Sequence, residues 1–137
     1  MPKFSEASKS KLASCHHDLQ RLFNEVIKHY DCTIIQGARS DVEQKKLFAE
    51  KKTKADGVND KSKHQVDKEF PFSRAVDVSP FPIKWEEKDR FILFAGRVEG
   101  IAQAMGIKIR WGGNWNGDNE LRDNNFDDLV HFELINA

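Results

Sequence analysis

The chain has 137 residues, of which 39% are hydrophobic and 32% are charged. This length and composition predict a single domain over residues 1–137 with an ordinary globular interior. Its 22 Lys and Arg residues equal its 22 Asp and Glu residues in number, which removes the usual electrostatic argument for binding nucleic acid or an anionic membrane. No apolar run approaches the roughly 20 residues of a membrane span, and the N-terminal residues lack the apolar run of a signal peptide. The sequence therefore predicts a cytoplasmic protein with no membrane insertion, and nothing in it indicates more than a monomer.

The first predicted elements are a helix and a buried strand. Apolar residues recur at steps of three and four from Leu12 to Ile27, which predicts one helix over residues 8–30. The β-branched residues that follow predict a short strand over residues 33–36, ending at Gly37.

The two cysteines, Cys15 and Cys32, lie in different predicted elements and form no Cys-x-x-Cys pair. Neither a disulfide framework nor a thiolate metal site is indicated, so both are predicted to be small core residues.

A second helix and a long loop come next. Ser40 and Glu43 form a capping-box pattern, which predicts a helix over residues 40–52. The chain is then nearly all polar or charged, which predicts an exposed loop over residues 53–73. Loops of this length are usually functional or disordered.

The second half of the chain is predicted to contain most of the sheet. Periodicity predicts, in chain order, a strand over residues 74–79, a helix over 85–105 closed by Gly106, a strand over 107–111 and a strand over 129–135. Helices dominate early and antiparallel-type strands dominate late. The expected class is therefore α+β, a small domain with a mainly antiparallel sheet and helices packed on one side.

Two of these strands carry residues that could do chemistry. The valines on either side of Asp77 are expected to face the core, so Asp77 faces the other side of the sheet, and the same alternation places His131 on that side. His64 lies in the polar loop that leads into the Asp77 strand. Two imidazoles and one carboxylate suit Zn²⁺ with a fourth position open for water. A lone histidine on a strand is more often a surface or hydrogen-bonded residue, so parity alone leaves both interpretations open.

Four short motifs sharpen this interpretation, and they occur in the order Gln36-Gly37-Ala38-Arg39-Ser40, Ser62-Lys63-His64, Ala75-Val76-Asp77 and Asp128-Leu129-Val130-His131. Over residues 33–134 the chain resembles the zinc peptidases of the D-alanyl-D-alanine carboxypeptidase family, and most of all the phage L-alanyl-D-glutamate endopeptidases, which are endolysins. The resemblance implies a Zn²⁺ site made by His64, Asp77 and His131. It also implies that Asp128 is the catalytic base and that Arg39 binds and polarises the substrate.

The chain departs from the family pattern in one spacing. In addition, two neighbouring residues are candidates for the catalytic base. Twelve residues separate His64 from Asp77, more than the family usually has, and residues 67–72 look like an insertion that can bulge outward without moving either ligand. Asp127 lies four residues before His131 and would share its face in an ideal strand. Asp127 therefore stays the alternative to Asp128, which the family pattern favours.

Several further residues are candidates for binding. The candidate substrate contacts are Arg39, Gln36, Ser62, Trp111, Asn114 and Trp115. For Trp111, packing in the core is an equally good interpretation, because strand alternation places it on the same inward face as the isoleucines of its strand. A second cation, Ca²⁺, could be held by the acidic residues Asp118, Glu120, Asp123 and Asp127, although their spacing matches no known calcium loop.

The function implied by the resemblance is hydrolysis of the L-Ala-D-Glu bond in stem peptides of bacterial peptidoglycan. Such a phage enzyme would accumulate in the host cytoplasm and would need a holin-type protein to reach the cell wall. Arg39 does not identify which bond is cleaved, because a free carboxylate lies beside both the L-Ala-D-Glu and the D-Ala-D-Ala bond. The alternatives are a D-Ala-D-Ala carboxypeptidase or dipeptidase, and a cell-wall binding module without activity. A binding module has no need of a base beside the metal.

Overall fold

An antiparallel sheet is the frame of the protein, seen here in a computed structural model that describes residues 2–40, 46, 49, 63–114 and 128–135. The described residues form three helices and four strands, namely α1 (Glu6–Ala13), α2 (His17–His29), β1 (Cys32–Gln36), β2 (Ala75–Pro80), α3 (Lys88–Met105), β3 (Ile109–Gly112) and β4 (Asp128–Leu134). The strand order is β1-β2-β4-β3, and every neighbouring pair is antiparallel. The predicted α+β class is confirmed.

The two central strands, β2 and β4, bring the candidate ligands together. Their register places Asp77 directly opposite His131 and Val76 opposite Phe132. Directly opposed residues of an antiparallel pair point to the same face of the sheet. One face of the β2–β4 pair therefore carries Val76 and Phe132, and the other carries Asp77 and His131, as the alternation predicts.

The core lies between the sheet and the helices. The ring of Phe132 on β4 meets Phe23 of α2 at 5.5 Å and Phe94 of α3 at 6.2 Å between centroids, both edge to face. Rings in this geometry stabilise the packing beyond the area that they bury. Cys15 and Cys32 are free and buried in this core, which confirms their predicted role, and burial raises the pKa of both thiols to about 12.

The prediction of one helix over residues 8–30 is wrong, because the chain forms two helices there. Between α1 and α2, Cys15 makes an isolated bridge with Ser73, supported by His16 N–H to Ser73 O at 2.7 Å and Ser73 N–H to Ser14 O at 3.0 Å. The Nδ1 atom of His16 then accepts the N–H of Asp18 and caps α2. The apolar period continues through the break, so the sequence pattern does not reveal it.

The predicted exposed loop over residues 53–73 is only partly described, and its described end is not uniformly exposed. His64, Gln65 and Ser73 are buried, since this segment lies against the sheet. Within residues 67–72, Asp67 accepts the N–H groups of Glu69 and Phe70 in a tight turn. Most of these residues are exposed, and their interpretation as an insertion stays a prediction.

Helix boundaries elsewhere differ from the prediction by small amounts. The long helix begins at Lys88 instead of residue 85, and it ends as predicted at Gly106, whose φ of 72° is left-handed. Lys46 and Ala49 are helical, inside the predicted helix over 40–52, and most of the rest of that prediction lies outside the described residues. Among the helices that the structure describes, none combines the length and the apolar character needed to cross a bilayer.

Candidate active site

Three buried side chains from three parts of the chain converge on the sheet face away from the helices. The Nε2 atom of His64 lies 3.1 Å from Asp77 Oδ1 and 3.2 Å from His131 Nδ1, and His131 Nδ1 lies 3.2 Å from Asp77 Oδ1. Within the described part of the chain, His64, Asp77 and His131 form the group of ligand-type side chains able to share one metal ion. The structure thus brings together the three predicted ligands.

The remaining ring nitrogen of each histidine has a partner that fixes the ring. The Nδ1 atom of His64 donates to the carbonyl oxygen of Gly37 at 2.9 Å, and His131 Nε2 lies 2.8 Å from Glu133 Oε1. A carbonyl and a carboxylate accept hydrogen bonds, so both of these nitrogens carry the proton. His64 Nε2 and His131 Nδ1 both face Asp77. They would become ligand atoms if a metal ion replaced the protons that they donate to Asp77, which is how metal-binding histidines are usually oriented.

The charges of the cluster are strongly coupled. Burial alone would raise the pKa of Asp77, but the charge of His64 and the hydrogen bonds from both histidines hold it well below its usual range. Burial alone would lower the pKa of His131, but its hydrogen bonds and charge interactions with Asp77 and Glu133 raise it to about 9. The cluster therefore favours an ionised carboxylate beside positive charge.

The donor set fits a divalent metal of borderline softness. Two imidazole nitrogens and one carboxylate oxygen are a common ligand set of catalytic zinc, with the fourth position left for water or substrate. Hydrogen bonds to the outer ring nitrogens, as seen here at Gly37 and Glu133, are the usual support of such ligands. The observed arrangement is therefore able to bind a metal ion.

Asp128 lies beside this cluster because the β3–β4 pairing is irregular. Trp111 pairs with Phe132, yet the next β3 residue, Gly112, pairs with Asp128. The extra β4 residues break the strict alternation, so Asp128 need not face away from His131 as an ideal strand would require. Asp127, the alternative base, lies outside the described residues.

The surroundings of Asp128 act on its ionisation. Burial, followed by the charge of Asp77, raises the pKa of Asp128 above its usual range. The charges of His131 and His64 and a hydrogen bond from the Val130 N–H act in the opposite direction. A raised pKa in a carboxyl group close to a candidate metal site is compatible with a role as a general acid or base.

Arg39 is tied to the segment that carries His64. The Arg39 N–H donates to the His64 carbonyl at 2.7 Å, and the Val66 N–H donates to the Arg39 carbonyl at 3.0 Å. The guanidinium is largely buried, and its Nη2 donates to Gln36 Oε1 at 2.8 Å. Gln36 therefore contacts Arg39 directly, whatever its role toward a substrate.

The other predicted binding residues are placed differently. Trp111 is buried in the core and its Nε1 donates to the Leu129 carbonyl, which agrees with the core-packing alternative. Asn114 follows in a turn, where its N–H donates to the Trp111 carbonyl. The remaining predictions lie outside the described residues, namely the contacts Ser62 and Trp115 and the calcium candidates Asp118, Glu120, Asp123 and Asp127. Within the part of the chain that the structure describes, nothing supports Ca²⁺ binding.

Sequence analysis gave no role to three charged residues behind the candidate metal ligands, namely Lys63, Arg110 and Glu133. Glu133 is buried and contacts His131, Arg110 and Lys63. Its position two residues after His131 gives it the same face, which was a usable signal. The contacts with Arg110 and Lys63 depend on the β3–β4 register and on the loop, and no sequence pattern gives those.

The site is a buried cluster of two histidines and a carboxylate with a neighbouring carboxyl group, and this arrangement is compatible with a single-metal hydrolase. The model of the family described as phage L-alanyl-D-glutamate peptidase matches residues 1–135. The chain belongs to this family, which confirms the resemblance inferred from the motifs.

Two known proteins are similar to the chain over most of its length. The L-alanyl-D-glutamate peptidase of Escherichia phage T5 is 27% identical over 126 residues, covering 88% of this chain and 87% of that protein. The crystal structure of the Serratia marcescens L-Ala D-Glu endopeptidase ChiX matches with a TM-score of 0.74 and 24% identity, covering 97% of this chain and 90% of ChiX. At that identity the second likeness supports the fold.

Proposed function

We propose that this protein is a zinc-dependent endopeptidase that hydrolyses the L-Ala-D-Glu bond in the stem peptides of bacterial peptidoglycan and acts as a phage endolysin. One observation carries the proposal: in a member of the phage L-alanyl-D-glutamate peptidase family, His64, Asp77 and His131 converge beside Asp128. This arrangement supports the assignment of the three buried side chains as metal ligands and of the partly buried Asp128 as the base.

Zinc is the proposed metal because of the donor set. His64 Nε2, Asp77 Oδ1 and His131 Nδ1 would hold it through two neutral imidazoles and one carboxylate, which leaves a net positive charge. A zinc ion held there would supply a Lewis acid that lowers the pKa of water and polarises the scissile carbonyl.

Asp128 is the proposed general base and acid. Its carboxylate would accept a proton from the water that attacks the scissile carbonyl and would pass that proton to the departing amine of D-Glu. Its partial burial beside the cluster keeps bulk water from competing for the proton. A positioned base of this kind contributes on the order of 10² to 10⁴ in rate.

Arg39 is the proposed substrate-binding cation. In the stem peptide, D-Glu is linked through its side chain, so its free α-carboxylate lies beside the scissile bond, where a guanidinium can bind it through two parallel hydrogen bonds. Gln36 would hold the guanidinium in place through the Nη2 contact. Asn114, Ser62 and Trp115 stay predicted contacts along the groove.

The setting of the activity follows from this substrate. The enzyme would accumulate in the cytoplasm of the infected host as a monomer and would reach the wall once a holin-type protein has permeabilised the membrane.

The proposal is tested on purified Gram-negative cell walls with three preparations: protein as isolated, protein stripped by a chelator, and stripped protein with zinc restored. We expect the walls to be solubilised by the first and third preparations and left intact by the second. Release of free D-Ala without solubilisation would replace the endopeptidase with a carboxypeptidase. Firm binding to walls without any cleavage in the presence of bound zinc would replace it with a binding module.

A further inference from the structure

A buried carboxylate, Glu133, stands directly behind the metal ligand His131. Its side chain is 6% exposed, and its Oε1 lies 2.8 Å from His131 Nε2. Its Oε2 accepts from Arg110 Nη2 at 2.8 Å and lies 3.3 Å from Lys63 Nζ. A buried carboxylate is unfavourable unless it is paired and hydrogen-bonded, and Glu133 has a partner for each oxygen.

The partners of Glu133 come from both sides of the site. Arg110 is directly opposite Glu133 in the β3–β4 register. Lys63 immediately precedes His64, and its Nζ also donates to the Leu134 carbonyl. Lys63 therefore ties the segment of the first histidine ligand to the strand of the second, and both cations hold Glu133 against His131.

We propose that Glu133 is a positioning residue, which holds His131 with Nε2 protonated and Nδ1 facing the metal, and that Lys63 and Arg110 hold Glu133 in turn. The inference rests on the proposed zinc site and deepens it. A carboxylate that accepts the outer N–H of a ligating imidazole fixes the tautomer and raises the basicity of the ligand. The two histidines are supported unequally, because His64 donates to the uncharged carbonyl of Gly37.

The competing explanation is that Glu133 serves only as a buried ion pair that stabilises the fold. On that account, removing its charge would change the stability of the metal-free protein and leave zinc affinity unaltered. On ours, the loss appears in zinc affinity and in the state of the His131 ring.

The first test is zinc affinity, measured by competition with a chromophoric chelator in wild type, Glu133→Gln and Glu133→Ala. We expect about a 10- to 100-fold weaker zinc affinity for Glu133→Ala, and a smaller loss in the same direction for the nearly isosteric Glu133→Gln. The control is Glu25→Ala, which removes an exposed carboxylate that contacts His29 Nε2 at 3.3 Å on α2. The control should bind zinc like wild type.

The second test needs no variant. Long-range ¹H–¹⁵N spectra of the zinc-loaded wild type should show His131 with its proton on Nε2 and its metal contact through Nδ1. A proton on Nδ1 would overturn the inference, and so would Glu133 variants that fold and bind zinc within twofold of wild type. If wild type itself bound no zinc, the proposed function would fail first, so the two failures are distinguishable.

Discussion

At the scale of single residues, the outer hydrogen bond of each histidine decides which of its nitrogens is available to a metal. The Gly37 carbonyl oxygen accepts a hydrogen bond from Nδ1 of His64, and Glu133 accepts one from Nε2 of His131. The two proposed ligand atoms are therefore different nitrogens, Nε2 of His64 and Nδ1 of His131, and each faces Asp77. Such arrangement before metal binding reduces the reorganisation that binding requires.

The role of Asp128 gives the most direct prediction at this scale. Asp128→Asn keeps the shape of the side chain and removes its ability to accept a proton. We expect turnover to fall by about 10² to 10⁴, with one zinc per chain retained by elemental analysis.

Asp127→Asn is the matched control, because Asp127 is the neighbouring carboxylate that strand parity favours as the base. It should keep turnover close to wild type. If instead Asp127→Asn were inactive and Asp128→Asn active, the base would be Asp127.

A second prediction at this scale separates ligand from base. His131→Ala should lose stoichiometric zinc, because two protein ligands rarely hold this ion in a catalytic site. His29→Ala, which alters an exposed histidine on α2, should retain it. Full zinc content in His131→Ala, measured after dialysis, would contradict the ligand assignment.

Much of the site was predictable at this scale, and the reason is strand alternation. Asp77 and His131 were placed on one face by the apolar residues beside them. Strand alternation could not place His64 and Arg39, since both lie outside regular strands. The family resemblance identified them. Glu133 lies on the same face as His131, but its role could not be predicted, because that role depends on contacts with residues distant in sequence.

At the scale of elements, the irregular β3–β4 pairing determines where Asp128 lies. Alternation along an ideal strand favours Asp127, and the register shift between Trp111 and Gly112 removes that preference. A sequence pattern cannot show such an irregularity. The same holds for the break between α1 and α2, which is made by hydrogen bonds with Ser73.

Gly112 provides a test of this pairing. A Cβ atom at this position would lie 2.0 Å from the Asp128 carbonyl oxygen, so β3 and Asp128 would have to separate. We expect Gly112→Ala to lower the free energy of unfolding by about 1–3 kcal/mol and to reduce turnover, as measured by denaturant unfolding and by cell-wall solubilisation.

Gly96→Ala is the matched control for Gly112→Ala. Gly96 lies within α3, and a Cβ atom there would meet nothing within 4 Å. Replacing a helical glycine with alanine should raise the free energy of unfolding by up to about 1 kcal/mol and leave turnover unchanged. Equal stability and turnover in Gly112→Ala and wild type would contradict the proposed role of the β3–β4 pairing.

At the scale of the whole molecule, the two buried thiols report on the integrity of the core. Burial raises the pKa of Cys15 and Cys32 to about 12, so little thiolate exists near neutral pH. Both thiols should therefore resist an aromatic disulfide reagent at pH 8 in the native protein and react after unfolding in denaturant. Rapid reaction of either thiol in the native protein would contradict the described core.

The raised pKa values of the two thiols also make the free energy of unfolding depend on pH. A thiol whose pKa is raised by folding contributes stability that is fully present below its ordinary pKa of 9.0. That contribution is lost as pH rises from there toward about 12, because the unfolded chain then releases protons that the folded chain retains. The free energy of unfolding should decline over this alkaline range, and Cys32→Ser should decline less steeply.

The overall fold class was predictable because the period of the apolar residues changes from helical to strand-like along the chain. Strand order and register were not, since they depend on contacts between β2 and β4 that are distant in sequence.

The most direct test of the central claim is mass spectrometry of the fragments released from purified peptidoglycan by the zinc-restored protein, with Asp128→Asn as the inactive control. We predict chelator-sensitive fragments with new L-Ala C-termini and new D-Glu N-termini. Fragments cut at any other bond, or the same fragments released by fully chelated protein, would contradict a zinc-dependent L-Ala-D-Glu endopeptidase.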